Sequence, residues 1–116
     1  MTYLLILNDP PYGTERTYNG LRLAGSLGKQ PDTAVKVFLI GDAAATAKAG
    51  QKLPSGFYNL ERMISAVVRQ GGAVGVCGSC MDARGLTDGE LVDGAHRSSM
   101  DELTRWTVSA DRVLVF

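Results

Sequence analysis

Ala73-Val74-Gly75-Val76-Cys77-Gly78-Ser79-Cys80-Met81-Asp82-Ala83-Arg84-Gly85 is the stretch on which the reading of this chain turns. Its first four residues form a short apolar run, the pattern of a buried strand. Cys77 follows that run, and small and polar residues come next. A thiol at the exit of a strand and the entrance of a helix meets the partial positive charge of unpaired backbone N–H groups. That setting favours thiolate over thiol. Cys77 is therefore the first candidate nucleophile. Cys80, the other cysteine of the protein, lies three residues on.

Upstream, Leu60, Met63, Ile64, Val67 and Val68 fall at i, i+3, i+4, i+7 and i+8. This spacing predicts an amphipathic helix, capped by Asn59 and ended by Gly71-Gly72. Before it, Ala34 to Ile40 is rich in β-branched and aromatic residues and predicts a strand, stopped by Gly41-Asp42. The alanine-rich segment Ala43 to Ala49 predicts a short helix, and Gly50 to Gly56 a mobile loop. At the start of the chain, Tyr3 to Leu7 is a continuous apolar run broken by Asn8-Asp9-Pro10-Pro11-Tyr12-Gly13. Thr14 is the predicted N-cap of a helix reaching about Leu27, with Tyr18, Leu21, Ala24 and Leu27 as its buried stripe. Gly20 and Gly25 are expected to let that helix approach the sheet, and Gly28 to end it.

Downstream the pattern weakens. Leu91-Val92 is expected to start a short fourth strand running towards His96. Ser99 with Glu102 reads as a capping box for a last helix. Met100, Leu103, Trp106 or Thr107, and Ala110 would form its inner face, and Val113 to Phe116 a final strand. Apolar strands alternating with helices imply an α/β domain, a mainly parallel sheet with helices on both faces. Ligands of such sheets gather beyond the carboxyl ends of the strands. That rule collects Asp9, Tyr12, Asp42 and Cys77 on one rim, with His96 near the fourth strand.

The chain has 116 residues, 45% of them apolar and 21% charged, which suits one domain spanning 1–116 with a real core. Twelve basic residues balance twelve acidic ones, so there is no basic footprint for nucleic acid and no basic amphipathic helix for a membrane surface. Neutral balance fits a small protein that hides surface in an oligomer. Met1-Thr2-Tyr3 carries no basic n-region, and the apolar run after it is too short for a signal peptide. The expected compartment is the cytosol, where close cysteines are more often catalytic, redox-active or metal-binding than structural. Two cysteines and one histidine fall short of the four ligands of a structural zinc site, so neither metal nor cofactor is expected.

Five blocks carry a family likeness: Asn8 to Ala24 (NDPPYGTERTYNGLRLA), Val37 to Asp42 (VFLIGD), Gly50-Gln51-Lys52, Cys77 to Gly85 (CGSCMDARG), and Trp106 to Phe116 (WTVSADRVLVF). In this order they resemble the DsrE family, most closely its YchN-like branch, nearly end to end. The resemblance implies a three-layer α/β/α fold with a five-stranded parallel sheet. It also implies assembly as a homotrimer or hexamer. Some members of the wider family pass sulfur as a persulfide on a cysteine that ends the third strand, seven residues before an Arg-Gly. Cys77 stands seven residues before Arg84-Gly85, so the resemblance puts the sulfur-relay role on Cys77, with sulfur donor and acceptor proteins as partners.

Several readings of these residues stay open. Cys77 is either a nucleophile for sulfane sulfur or a small buried hydrophobe at a strand end. Cys80 resolves a persulfide as a Cys77–Cys80 disulfide, contributes to a metal site, or packs in the following turn. Gly78 and Ser79 leave backbone N–H groups free to cradle an anion, or simply form a tight turn. Arg84 attracts such an anion, or pairs with Asp82 or a neighbouring subunit. Asp9 and Tyr12 orient a ligand or serve the turn, and Gln51 sits on a loop that covers the cysteine or stays solvated. Three functions follow: a sulfurtransferase-like persulfide carrier, a dithiol redox protein, or a non-catalytic oligomeric module that binds a small ligand or a partner.

Overall fold

Five strands in the order β4-β3-β2-β1-β5 make one sheet, and all four pairings between neighbours are parallel. The computed structural model describes residues 1–116. Its elements are β1 (Thr2–Leu7), α1 (Arg16–Leu27), β2 (Ala34–Leu39), a 3₁₀ helix (Gly41–Ala47), α2 (Leu60–Arg69), β3 (Ala73–Cys77), α3 (Gly78–Ala83), a 3₁₀ turn (Asp88–Glu90), β4 (Ala95–Ser98), α4 (Met100–Ser109) and β5 (Arg112–Val115). The fold is the three-layer α/β/α arrangement expected. No helix is long and apolar enough to cross a membrane.

The sheet divides its side chains by the alternation of the pleat. Leu5, Leu7, Val37, Leu39, Val74 and Val76 point to one face, where they pack with Leu21 and Ala24 of α1 and with Leu60, Ile64 and Val67 of α2. The alanines of the 3₁₀ helix, Ala43, Ala44 and Ala47, complete this larger core. Leu4, Phe38 and Cys77 point to the opposite face, against Leu103 and Trp106 of α4. The Phe38 and Trp106 rings meet edge to face, with centroids 6.2 Å apart. Gly75 makes room for this contact, because a Cβ there would lie 3.2 Å from the indole of Trp106.

Several local expectations change. Thr14 does not cap α1: its hydroxyl donates to Asp9 Oδ2 at 2.9 Å, and the helix starts two residues later behind Glu15, which makes no side-chain cap. Gly20 does allow close approach, since a Cβ there would collide with Leu7, but Gly25 faces open space. The segment after β2 is a 3₁₀ helix that begins at Gly41. The fourth strand is Ala95–Ser98, while Leu91 forms only an isolated antiparallel bridge to Lys48. Charged and polar residues at this sheet edge hide it from apolar-pattern reading. Ser99 caps α4 by accepting from Glu102 N, but the Glu102 carboxylate turns to Ser98 and His96 instead of closing a box. A complete capping box occurs at Thr87 and Glu90. Met100 is 61% exposed, so the inner face of α4 rests on Leu103 and Trp106.

Candidate functional site

Cys77 closes β3, in register with Ser98 at the end of β4. Parallel pairing brings the two carboxyl-terminal strand ends side by side, and α3 leaves the sheet immediately after the thiol. A cavity of about 440 Å³ opens there. Cys77, Gly78 and Ser79 line it together with Asp82 of α3, Arg97 and Ser98 of β4. Phe38 and Met100 supply its apolar wall. Cys77 is only 7% exposed, so its sulfur is reached through this cavity.

The two thiols are electrostatically unequal. Burial works against a charge on Cys77. Hydrogen bonds from the Cys80 thiol, the Ser79 hydroxyl and the backbone N–H groups of Cys80 and Ser79 outweigh it, and the Cys77 thiol lies below the usual cysteine range. The Cys77 Sγ–Ser79 Oγ separation is 3.3 Å; beside a thiolate the hydroxyl is the donor. Burial pushes the Cys80 thiol up, and the neighbouring Cys77 pushes it further. The N–H of Gly41 and the charge of Arg84 act the other way on Cys80 without reversing the shift. Both cysteines are free thiols. The arrangement sets two neighbouring thiols apart, Cys77 shifted towards the thiolate and Cys80 towards the thiol.

The remaining rim residues are engaged outside the cavity. Asp9 accepts from Thr14 through its carboxylate and from Thr17 through its carbonyl, which locks the turn into α1. Tyr12 Oη accepts the Leu60 N–H at 3.2 Å, and its ring stacks on Tyr58. Gln51 Nε2 donates to the carbonyls of Ala45 and Lys48, so it pins its loop to the 3₁₀ helix. Arg84 donates to Asp42 Oδ1 at 2.7 Å and to the Cys80 carbonyl at 3.0 Å. This bridge ties the carboxyl end of α3 to the turn after β2. It lies on the Cys80 side of α3, and neither Arg84 nor Asp42 lines the cavity.

Arg97 is the cation beside Cys77 and escaped the sequence reading. Its Nη2 donates to Asp82 at 2.8 Å, and its Nη1 lies 3.5 Å from Asp88. The guanidinium covers Gly78: a Cβ there would sit 3.0 Å from Nε. One signal could have found it. Ser99 as an N-cap means that the strand before α4 ends at Ser98, and the parallel register then sets Arg97 and Ser98 beside Cys77. No group of three or more His, Cys, Asp or Glu side chains that could hold a metal ion exists in the chain. His96 is on β4, hydrogen-bonded to Glu102, and does not line the cavity.

Known proteins are similar to this chain in sequence and fold. The DsrE/DsrF-like family model matches residues 1–116. Protein YchN of Escherichia coli (strain K12) is 38% identical over 114 residues, which are 97% of each chain. The crystal structure of the ychN protein from E. coli superposes with a TM-score of 0.86 at 36% identity, covering 100% of both chains. A protein of unknown function from Methanobacterium thermoautotrophicum, MTH1491, shares the fold at a TM-score of 0.75 and 11% identity, over 99% of this chain and 98% of that one. With its all-parallel five-stranded sheet and a cysteine at the end of β3, the chain belongs to the DsrE/DsrF-like family.

Proposed function

We propose that this protein is a sulfurtransferase-like persulfide carrier of a cytoplasmic sulfur relay, with Cys77 as the sulfur-bearing atom. The observation that carries the reading is the Cys77 thiol on the lining of a cavity, hydrogen-bonded to Ser79 and shifted below the ordinary cysteine range while Cys80 beside it is shifted above. Sulfur transfer needs an ionised, reachable thiolate and little else. The Cys77 thiolate attacks the outer sulfur of a donor persulfide. The donor S–S bond breaks, a new S–S bond forms on Cys77, and the donor leaves as its thiolate. The reverse step passes the sulfur to an acceptor thiol, so sulfur moves with no net redox change. Ser79 and the Cys80 thiol hold the charge, and the Arg84–Asp42 bridge steadies α3 beneath it.

The assembly in this reading is a homotrimer or homohexamer that exchanges sulfur with donor and acceptor proteins. Apolar side chains on the α4 and β5 side support association: Val108 is 81% and Val115 66% exposed. A dithiol redox role is the second reading, favoured by two free thiols three residues apart whose titrations influence each other. Incubation with inorganic polysulfide followed by intact-mass measurement separates the two. The carrier reading expects one added sulfur in the native protein and in Cys80→Ser, and none in Cys77→Ser. A native protein that only loses two hydrogens, or an adduct that survives Cys77→Ser, contradicts it.

A further inference from the structure

The cavity over Cys77 is built from opposite charges. Asp82 and Arg97 stand on its wall, paired at 2.8 Å. Ser79, Ser98 and Ser99 add hydroxyls, and Phe38 an apolar patch. A volume of about 440 Å³ is in the range of small-molecule sites. Cys77 lies on its lining, 7% exposed, where a slender group reaches the sulfur. Arg97 has five N–H donors, and the structure directs Nη2 to Asp82 and Nη1 towards Asp88. Its Nε edge stays over Gly78, next to the nucleophile.

We propose that this cavity takes the persulfide of a small α-amino-acid thiol, with Arg97 holding the carboxylate and Asp82 the ammonium. The proposal rests on the persulfide-carrier reading and names the donor class for it. A guanidinium and a carboxylate side by side offer complementary charges to the carboxylate and ammonium of a zwitterion. An anion without an ammonium would leave Asp82 unpaired and face its repulsion. Asp88 beside Arg97 adds to that repulsion. The bound donor R–S–SH presents its outer sulfur to the Cys77 thiolate. The R–S–SH sulfur–sulfur bond breaks as the bond to Cys77 forms. The departing R–S⁻ takes the proton of the transferred sulfur, leaving R–SH and Cys77–S–S⁻. No external oxidant or reductant enters.

The test compares cysteine persulfide with inorganic polysulfide as donors to the native protein, Arg97→Gln and Asp82→Asn, reading the rate of sulfur addition to Cys77 by intact mass. Both side chains are more than a third exposed, so the substitutions leave the core untouched. Loss of a charge-assisted contact is expected to lower the cysteine-persulfide to polysulfide rate ratio about tenfold in each variant. An unchanged ratio overturns the proposal, whether both rates hold or both fall together. Loading of Cys77 from polysulfide but not from cysteine persulfide in the native protein also overturns it and leaves the carrier reading standing. Absence of loading from either donor removes the carrier reading itself.

Discussion

The backbone N–H of Gly41 donates to Cys80 Sγ at 3.2 Å, joining two positions 39 residues apart. Gly41 holds the left-handed conformation that this turn requires, with φ +59°. The contact fixes the Cys80 sulfur beside the end of β2, where its side chain helps to lower the Cys77 pKa. Cys80 is thereby a positioning residue for the Cys77 charge, and the turn after β2 sets the state of a thiol at the end of β3.

This geometry separates two substitutions at one position. In Cys80→Ser the hydroxyl remains a donor to Cys77, so Cys77 is expected to keep its lowered pKa and its sulfur loading. In Cys80→Ala the donor is gone, and the Cys77 pKa is expected to rise towards the ordinary cysteine value. Thiolate absorbance followed through a pH titration measures both. A required disulfide would instead make the two variants equally inactive.

Gly20 and Gly25 make a matched pair on α1. A side chain at Gly20 meets Leu7 of β1, whereas one at Gly25 meets nothing within 4 Å. Gly20→Val is expected to destabilise the fold by about 1–3 kcal/mol through overpacking. Gly25→Ala is expected to stabilise it by about 0.5–1 kcal/mol by relieving a mid-helix glycine. Urea midpoints at constant m check both signs.

Trp106 is the single tryptophan and the main side chain by which α4 covers its face of the sheet. Trp106→Ala is expected to cost about 3–5 kcal/mol in denaturant unfolding. Gly75→Ala presses on the indole, and a shift of the native tryptophan emission is the expected readout.

Glu102 links stability to acid pH. Burial acts to raise its pKa. Hydrogen bonds from Ser98 and His96, with the charges of His96 and Arg105, outweigh it, and the carboxyl lies below the ordinary range. A lowered folded-state pKa contributes stability that is fully present above the unfolded-state pKa and is lost as pH falls through the folded-state value. Thermal melts of native protein and Glu102→Gln are therefore expected to converge on acidification below the ordinary glutamate range. A constant separation down that range contradicts the linkage.

Much of the sheet was legible because β1, β2 and β3 are apolar runs, buried on both faces and separated by clear breakers. α2 was legible from one unbroken apolar face and the Asn59 cap, which accepts from Arg62 N. β4 was not: Ala-His-Arg-Ser has no apolar rhythm, and its place comes from pairing with β3. The same gap hid Arg97 and Ser98 from the cavity. The α1 start was misplaced because Thr14 spends its hydroxyl on Asp9, a tertiary choice that local cap preference does not encode. Cys77 stood out from sequence alone, while its hydrogen-bond donors depended on the turn of α3 and on Gly41.

The pH dependence of Cys77 alkylation by iodoacetamide, followed peptide by peptide in native and urea-unfolded protein, tests the central claim most directly. The account predicts that Cys77 in the folded chain reacts with a midpoint below that of the unfolded chain and below that of Cys80. A folded-state midpoint at or above the unfolded one, or a Cys77 that does not alkylate when folded, contradicts it.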